Sequence, residues 1–301
     1  MAQTLPRPAS VAVPITSRRR LRAPRNVLHA LVVYGVLLLL TGFILLPVSW
    51  MLTVALKPDT APIFTFPPEW FPTQYWRWES FQEALLDPDD PYVQYALNSL
   101  LLVTVNVLGQ VLSCSLVAYP FARLQFRGKN VLFMLLLATM LLPAPVLLIP
   151  QYLIFNEIGW YGTYLPLTVP AFAGNAFFIF LLRQYMRSIP RDLDEAAKID
   201  GASHAQIYWH VILPLAAPAL VVVGVFTALG TWNDFFGPLI YLSDQSQYTV
   251  AVALATQMSR LGVKWNILMA ANLVAIIPPL VLYFLAQRRL IGGIASVGIR
   301  G

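Results

Sequence analysis

Glu195-Ala196-Ala197-Lys198-Ile199-Asp200-Gly201, continued to Val211-Ile212-Leu213-Pro214, is a polar, sharply punctuated island in a chain that is otherwise mostly apolar. Pro190 suits the first turn of a short helix, residues 191–200 are mostly tolerable helix formers, and Gly201 supplies the left-handed residue that ends it. Ser203 is placed to N-cap a second helix from His204 to Leu213, and Pro214 either ends that turn or opens the next helix. The expected unit is therefore helix, glycine elbow, helix. In the first helix Leu193, Ala196, Ala197 and Asp200 fall near one face, where the two alanines leave room for another protein's surface to come close. Glu195 and Lys198 stay at the sides, open to polar partners.

The surroundings of this island are apolar. Of 301 residues 58% are hydrophobic and 11% charged, whereas a soluble domain carries about a quarter charged residues. Crossing a bilayer as a helix takes about 20 apolar residues. Six runs qualify, near 27–51, 95–121, 130–154, 165–186, 214–236 and 267–287. No series of alternating, turn-punctuated segments suggests a membrane barrel. The expectation is an all-α, polytopic membrane protein with six transmembrane helices. It comprises a basic tail over 1–26, a six-span region over 27–289 that contains the loop 188–213, and a C-terminal tail over 290–301.

Basic residues fix the orientation this sequence implies. With the N-terminus in the cytoplasm, sixteen of the twenty fall inside, and only Lys57, Arg77, Arg260 and Lys264 fall outside. Both termini and the Glu-Ala-Ala loop are then cytoplasmic. The net charge of +6 is accounted for by this asymmetry and calls for no nucleic acid. The run after the basic tail is too long for a signal-peptide core, so it reads as a retained span. Pro-rich, aromatic residues between the first two runs, with Trp70, Phe71, Tyr75, Trp76 and Trp78, fit an outer segment at the membrane interface, with a short surface helix over 78–86.

Inside the runs, polar residues are few. Asn106, Gln110 and Ser113 project from nearly one face of the second run, either as a substrate-facing stripe or as hydrogen bonds gluing neighbouring helices. Pro143, Pro145 and Pro150 should kink or break the third run. Trp232 and Asn233 offer a stacking face and a bidentate hydrogen-bonding group of the kind a sugar site uses, with an interfacial anchor as the plain alternative. Cys114 reads as a small buried hydrophobe, without a partner for a disulfide.

Several chemistries find no support. No phosphate-binding Gly-x-x-x-x-Gly-Lys-[Ser/Thr] loop occurs, nor His-Glu-x-x-His or Gly-x-Ser-x-Gly, so no catalytic or metal-ligating residues are assigned. Secondary transporters and channels place ionisable groups within their spans. The interiors of the six runs hold none, and Asp234 at the outer end of the fifth comes closest. The energy source is then most naturally an outside ATPase.

The spacing of Glu195-Ala196-Ala197, Gly201, Val211 and Leu213-Pro214 resembles the signature loop of bacterial ATP-binding-cassette (ABC) importer permeases, although Val211 stands where isoleucine is commoner. Gly230-Thr231-Trp232-Asn233-Asp234 is similar to a segment of the sugar-importing branch. The glycine-punctuated end from Leu290 to Gly301 looks like the tail of maltose-type permeases. This resemblance implies a type I ABC importer permease fold and membership of the binding-protein-dependent inner membrane component family. It further implies a coupling helix at Glu195, Ala196, Ala197, Asp200, Gly201, Leu213 and Pro214 seated on a separate ATPase subunit. A substrate pathway at Asn106, Gln110, Trp232 and Asn233 is also expected. The implied partners are a second homologous permease subunit, two ATPase subunits carrying ATP and Mg, an extracytoplasmic solute-binding protein and the lipid bilayer of a bacterial cell membrane. This chain would bind no cofactor and catalyse no reaction. The cargo is a sugar, with glycerol phosphate, a polyol or another small solute as the alternative and secondary transport as a remoter one.

Overall fold

A computed structural model describes residues 25–87, 90–259 and 262–295. All regular elements among them are helical. The chain divides between Val48 and Ser49 into two units. In the first lies the leading stretch of α1 (Arg25–Ala55), whose Leu38 and Leu39 are exposed, as lipid contact requires. The basic residues before position 25, together with Arg260 and residues 296–301, lie outside the described residues.

The second unit continues with α2 (Glu79–Leu86), α3 (Tyr92–Arg123), α4 (Lys129–Thr139), α5 (Ala144–Glu157), α6 (Leu165–Thr168), α7 (Ala176–Ser188) and α8 (Asp192–Ile199). It is completed by α9 (His204–Ile207), α10 (Leu213–Leu215), α11 (Ala217–Trp232), α12 (Phe236–Tyr241), α13 (Val250–Ser259) and α14 (Trp265–Ala295). A 3-10 turn at Val169–Ala173 joins α6 towards α7, another occupies Gln245–Gln247, and a π-helical turn at Tyr208–Ile212 links α9 to α10.

Four stretches are long and apolar enough to cross a membrane among the described residues: 29–55, 92–123, 165–188 and 265–287. A fifth arises if 204–215 and 217–232, bent by 74° at Ala216, are taken together. The third apolar run is divided into α4 and α5 by the break at residues 140–143, where Pro143 ends one helical path and caps the next. Removal of a backbone N–H by proline explains the break that the sequence led one to expect. The fourth is also interrupted, at Gly174 with φ +83°, after which the Asn175 side chain accepts from the N–H groups of Phe177 and Phe178 and restarts the helix as α7. The last helix runs on to Ala295, so residues 290–295, placed with the C-terminal tail, are helical.

Helix α3 is the axis of this unit and packs against α11, α7 and the 169–173 turn. Its C-terminal half joins a core of Cys114, Ala118, Tyr119, Leu182, Met186, Ile207, Tyr208, Ile212 and Val223. Its N-terminal end joins another, with Tyr92, Tyr95, Trp232, Val250, Ala253, Ala270 and Ala271. Expected to lie on the surface, α2 buries Ser80 and Ala84 against α14. The outer segment after α1 is tied down by charge: Lys57 Nζ lies 2.6 Å from Glu69 Oε2, and Arg77 Nη1 donates to Asp59 Oδ1 at 2.8 Å.

Gly109 sets how closely α3 approaches the 169–173 turn. A Cβ there would lie 3.0 Å from the Phe172 ring and 3.1 Å from Ala171 Cβ. A Cβ at Gly224 would meet Val107 at an ordinary 3.6 Å. Overpacking of this kind costs about 1–3 kcal/mol. Gly109→Val should therefore lower the melting temperature of the purified protein in detergent by several degrees, while Gly224→Ala should leave it nearly unchanged; scanning fluorimetry checks both.

Candidate functional site

The loop between α7 and α11 is built from three local devices. Helix α8 ends in a Schellman arrangement, with the Ala202 N–H donating to Ala197 O at 2.9 Å and the Gly201 N–H to Lys198 O at 3.0 Å, around Gly201 at φ +82°. Ser203 then begins α9 with a capping box, its Oγ accepting from the Gln206 N–H while the Gln206 side chain accepts from the Ser203 N–H. The π turn and Pro214 finally swing the chain into α11. The helix, glycine elbow, helix pattern is thus present, with the second helix finished by a π turn.

Three contacts fasten this loop to the C-terminal end of α3. Tyr119 Oη donates to His204 O at 3.2 Å, and Ser115 Oγ lies 2.8 Å from Tyr208 Oη, with the two tyrosine rings 5.2 Å apart. The third is ionic. Arg123, whose side chain is 2% exposed, places Nε 3.4 Å from Asp194 Oδ2 on α8 and donates from Nη1 to Ile189 O at 3.0 Å. Arg123 Nη2 and Asp194 Oδ1 have no hydrogen-bond partner, so charge attraction rather than a two-pronged hydrogen-bonded fork joins them. Arg183 adds a strut, donating from Nε to Phe121 O at 3.1 Å with its guanidinium 3.9 Å above the Phe133 ring.

Asp194 therefore decides which face of α8 turns inward. Ala197, three residues on, follows it and packs against the core, whereas Ala196 is exposed. The expected face shared by Ala196 and Ala197 is accordingly split between the two sides of the helix. Glu195, Lys198, Asp200 and Gly201 are exposed, and Ile199 is 87% exposed. Leu213 and Pro214 lie at the bend, with Leu213 packed on the core. The outward surface of the loop is a small patch of Ala196 and Ile199 flanked by Glu195 and Lys198.

The residues expected along a substrate pathway are dispersed. Gln110 Oε1 accepts from Cys114 Sγ at 3.1 Å within α3, whereas Ser113 Oγ donates to Ala171 O at 3.0 Å and ties α3 to the 169–173 turn. Cys114 is buried, as expected. Trp232 is buried too. Its Nε1 donates to Ala275 O at 3.2 Å, a carbonyl left free because its helical partner four residues on is Pro279. This bond anchors the indole in the core, and with Asn233 the residue lines a cavity of about 280 Å³ between α11, α13 and α14. Asn233 is exposed and donates from Nδ2 to Leu229 O, within its own helix. Asn106 lines a separate cavity, of about 200 Å³, where it meets Thr231 and Asp234. Sequence reasoning passed over Arg123, Asp194, Tyr119, Tyr208 and Thr231. For the ion pair a signal existed: an acid immediately before Glu-Ala-Ala, on the face of Ala197, needs a cation if that face turns inward.

Residues 111–295 match the model of the binding-protein-dependent transport system inner membrane component. The chain belongs to this family. Matching residues include the whole α7–α11 loop. This permease is 30% identical over 271 residues to a diacetylchitobiose uptake system permease protein of Streptomyces coelicolor, covering 89% of this chain and 88% of that one. It is 29% identical over 274 residues to an sn-glycerol-3-phosphate transport system permease protein of Yersinia pestis, covering 89% and 95%. In fold it is similar to a crystal structure of a bacterial ABC transporter involved in the import of the acidic polysaccharide alginate, with TM-score 0.78 and 22% identity over 89% of this chain and 99% of that one. The permease is a multi-pass inner membrane protein with an ABC importer permease fold.

Breaking one side of a buried ion pair costs about 3–5 kcal/mol, whereas replacing both partners with apolar groups can be nearly neutral. Arg123→Met and Asp194→Leu alone should each make the 189–201 segment markedly more sensitive to protease in inside-out membranes. The double variant should recover much of the protection, as digestion followed by mass spectrometry would report.

Proposed function

We propose that this permease is one of two related membrane subunits of an ATP-driven importer of a sugar, with six spans and both termini in the cytoplasm. In this reading α4 and α5 together make one broken span and the bent 204–232 segment another. ATP and Mg belong to two ATPase subunits, and an extracytoplasmic binding protein delivers the solute. The permease itself holds no cofactor and performs no catalysis.

The observation that carries the reading is the loop geometry: an exposed patch at Glu195, Ala196 and Ile199, ended by Gly201 and fastened to α3 from behind. Such a patch suits a groove on a partner, with the small alanine allowing close approach. When ATP closes the ATPase dimer, the groove carries the loop inward. Because the loop is fixed to α3 and continues into α11, the spans rock and the pathway changes the side to which it opens. Asp200, Leu213 and Pro214 keep the elbow and the bend in register for this movement. The uptake role of the Streptomyces relative favours a sugar as cargo. The Yersinia relative favours a second reading, glycerol phosphate.

Gly201 has open space around it, so only its positive φ resists a side chain. A β-branched residue there costs about 1–2 kcal/mol of backbone strain. Gly201→Val should leave insertion intact while weakening ATPase co-purification and abolishing substrate-stimulated hydrolysis in the assembled importer. A variant complex that assembles and transports normally would reduce the loop to a connector. In proteoliposomes the parent complex should require ATP and continue uptake when an uncoupler collapses the proton gradient. Uptake that stops with the uncoupler at constant ATP would favour secondary transport. Cysteines at Glu79 and Lys198, both exposed, should react with an impermeant reagent from opposite sides; labelling of both from outside would refute the orientation.

A further inference from the structure

Between α3, α6, α11 and α12 the permease holds a half-open cavity of about 200 Å³. Its apolar lining comes from Leu102, Leu167 and Pro238, and its polar lining from Asn106, Thr231 and Asp234. Asn106 is 8% exposed. Its Nδ2 donates to Thr231 Oγ1 at 3.4 Å, but its Oδ1 has no hydrogen-bond partner. A buried acceptor left open is unfavourable until a donor reaches it. Asp234 Oδ1 accepts from the Gly237 N–H at 3.2 Å, which fixes the carboxylate at the start of α12. A Cβ at Gly237 would lie 2.5 Å from Asp234 Oδ2 and would push the carboxylate from this position.

These groups give the cavity a chemical sign. An amide carbonyl and a carboxylate only accept, and the Thr231 hydroxyl, already accepting from Asn106, has its own proton to give. The cavity therefore welcomes O–H donors and repels anions. Its volume equals that of several waters at about 30 Å³ each, enough for a single six-membered sugar ring but not for an oligosaccharide. The apolar lining suits the C–H faces of such a ring.

We propose that this cavity is a subsite for one ring of a neutral, hydroxyl-rich solute, with Asn106 Oδ1 and the Asp234 carboxylate accepting from its hydroxyls. The inference rests on the importer reading and narrows it, since an acceptor-rich subsite selects neutral sugars over phosphorylated or uronic solutes. Asn106 and Asp234 are then specificity-determining residues, while Trp232 supports the site only through packing.

Cysteine protection tests this in the assembled importer in proteoliposomes, with Leu167→Cys in a Cys114→Ala background and a small neutral methanethiosulfonate as reagent. Glucose and maltose at high millimolar concentration should slow modification several-fold, and glucuronate and glycerol phosphate should not. Asn106→Leu should abolish the protection. Asp234→Asn, which keeps an acceptor for the Gly237 N–H, should let glucuronate protect. Equal protection by neutral and anionic probes, or none in complexes that still show ATP-dependent uptake, would overturn the subsite and leave a hydrated cavity only. Loss of ATP dependence in the parent complex would instead fail the importer reading.

Discussion

An arginine taken out of water at the end of an apolar helix must be surrounded by acceptors, and Arg123 finds its acceptors in the loop that follows α7. Ile189 O and the Asp194 carboxylate converge on it from two points of that loop. The pair is a constraint more than a source of stability, since desolvation offsets much of the attraction. What it contributes is placement. With Asp194 drawn inward, Ala197 must pack on the core, and Glu195, Ala196 and Ile199 must face out. The outward surface of the loop is thus set by a charge on another helix, about seventy residues earlier in the chain.

Two tyrosines extend the same logic to the second half of the loop. Tyr119 and Tyr208 carry most of their area in the core, and each uses its hydroxyl to hold a polar group of the opposite element. The π turn over Tyr208–Ile212 presents Tyr208 to Ser115 and leads the chain into the 74° bend before α11. Pro214 and Pro218 start helical turns without needing backbone donors there. Helix α8 is consequently joined to α3 by side-chain contacts and to α11 by the backbone.

Much of this architecture was legible in the sequence because it rests on local rules. Gly201, Ser203 and the proline break of the third run are stated by residue type and spacing, and the apolar runs by length. The rest depends on contacts distant in sequence. The anchoring of Trp232, whose indole N–H takes the Ala275 carbonyl that Pro279 frees, joins residues more than forty apart and leaves no mark in local spacing. Asn106 and Gln110 share a face, yet only Asn106 reaches a cavity, because Thr231 and Asp234 meet it from α11 and the turn beyond. Periodicity could place such residues on a face but not say what the face meets. Span counting was limited likewise, since bends at Ala216 and Pro143 divide runs that hydropathy treats as continuous.

The central claim is that the loop and the inner end of α3 move as one body when ATP binds the assembled importer. Spin labels at Gln125, just past α3, and at Asp192, at the start of α8, both on exposed positions, measure this directly by pulsed dipolar spectroscopy. Their distance should be the same in nucleotide-free and ATP-bound complexes. A change exceeding the width of the distance distribution would show that α8 slides on α3, and would contradict the account.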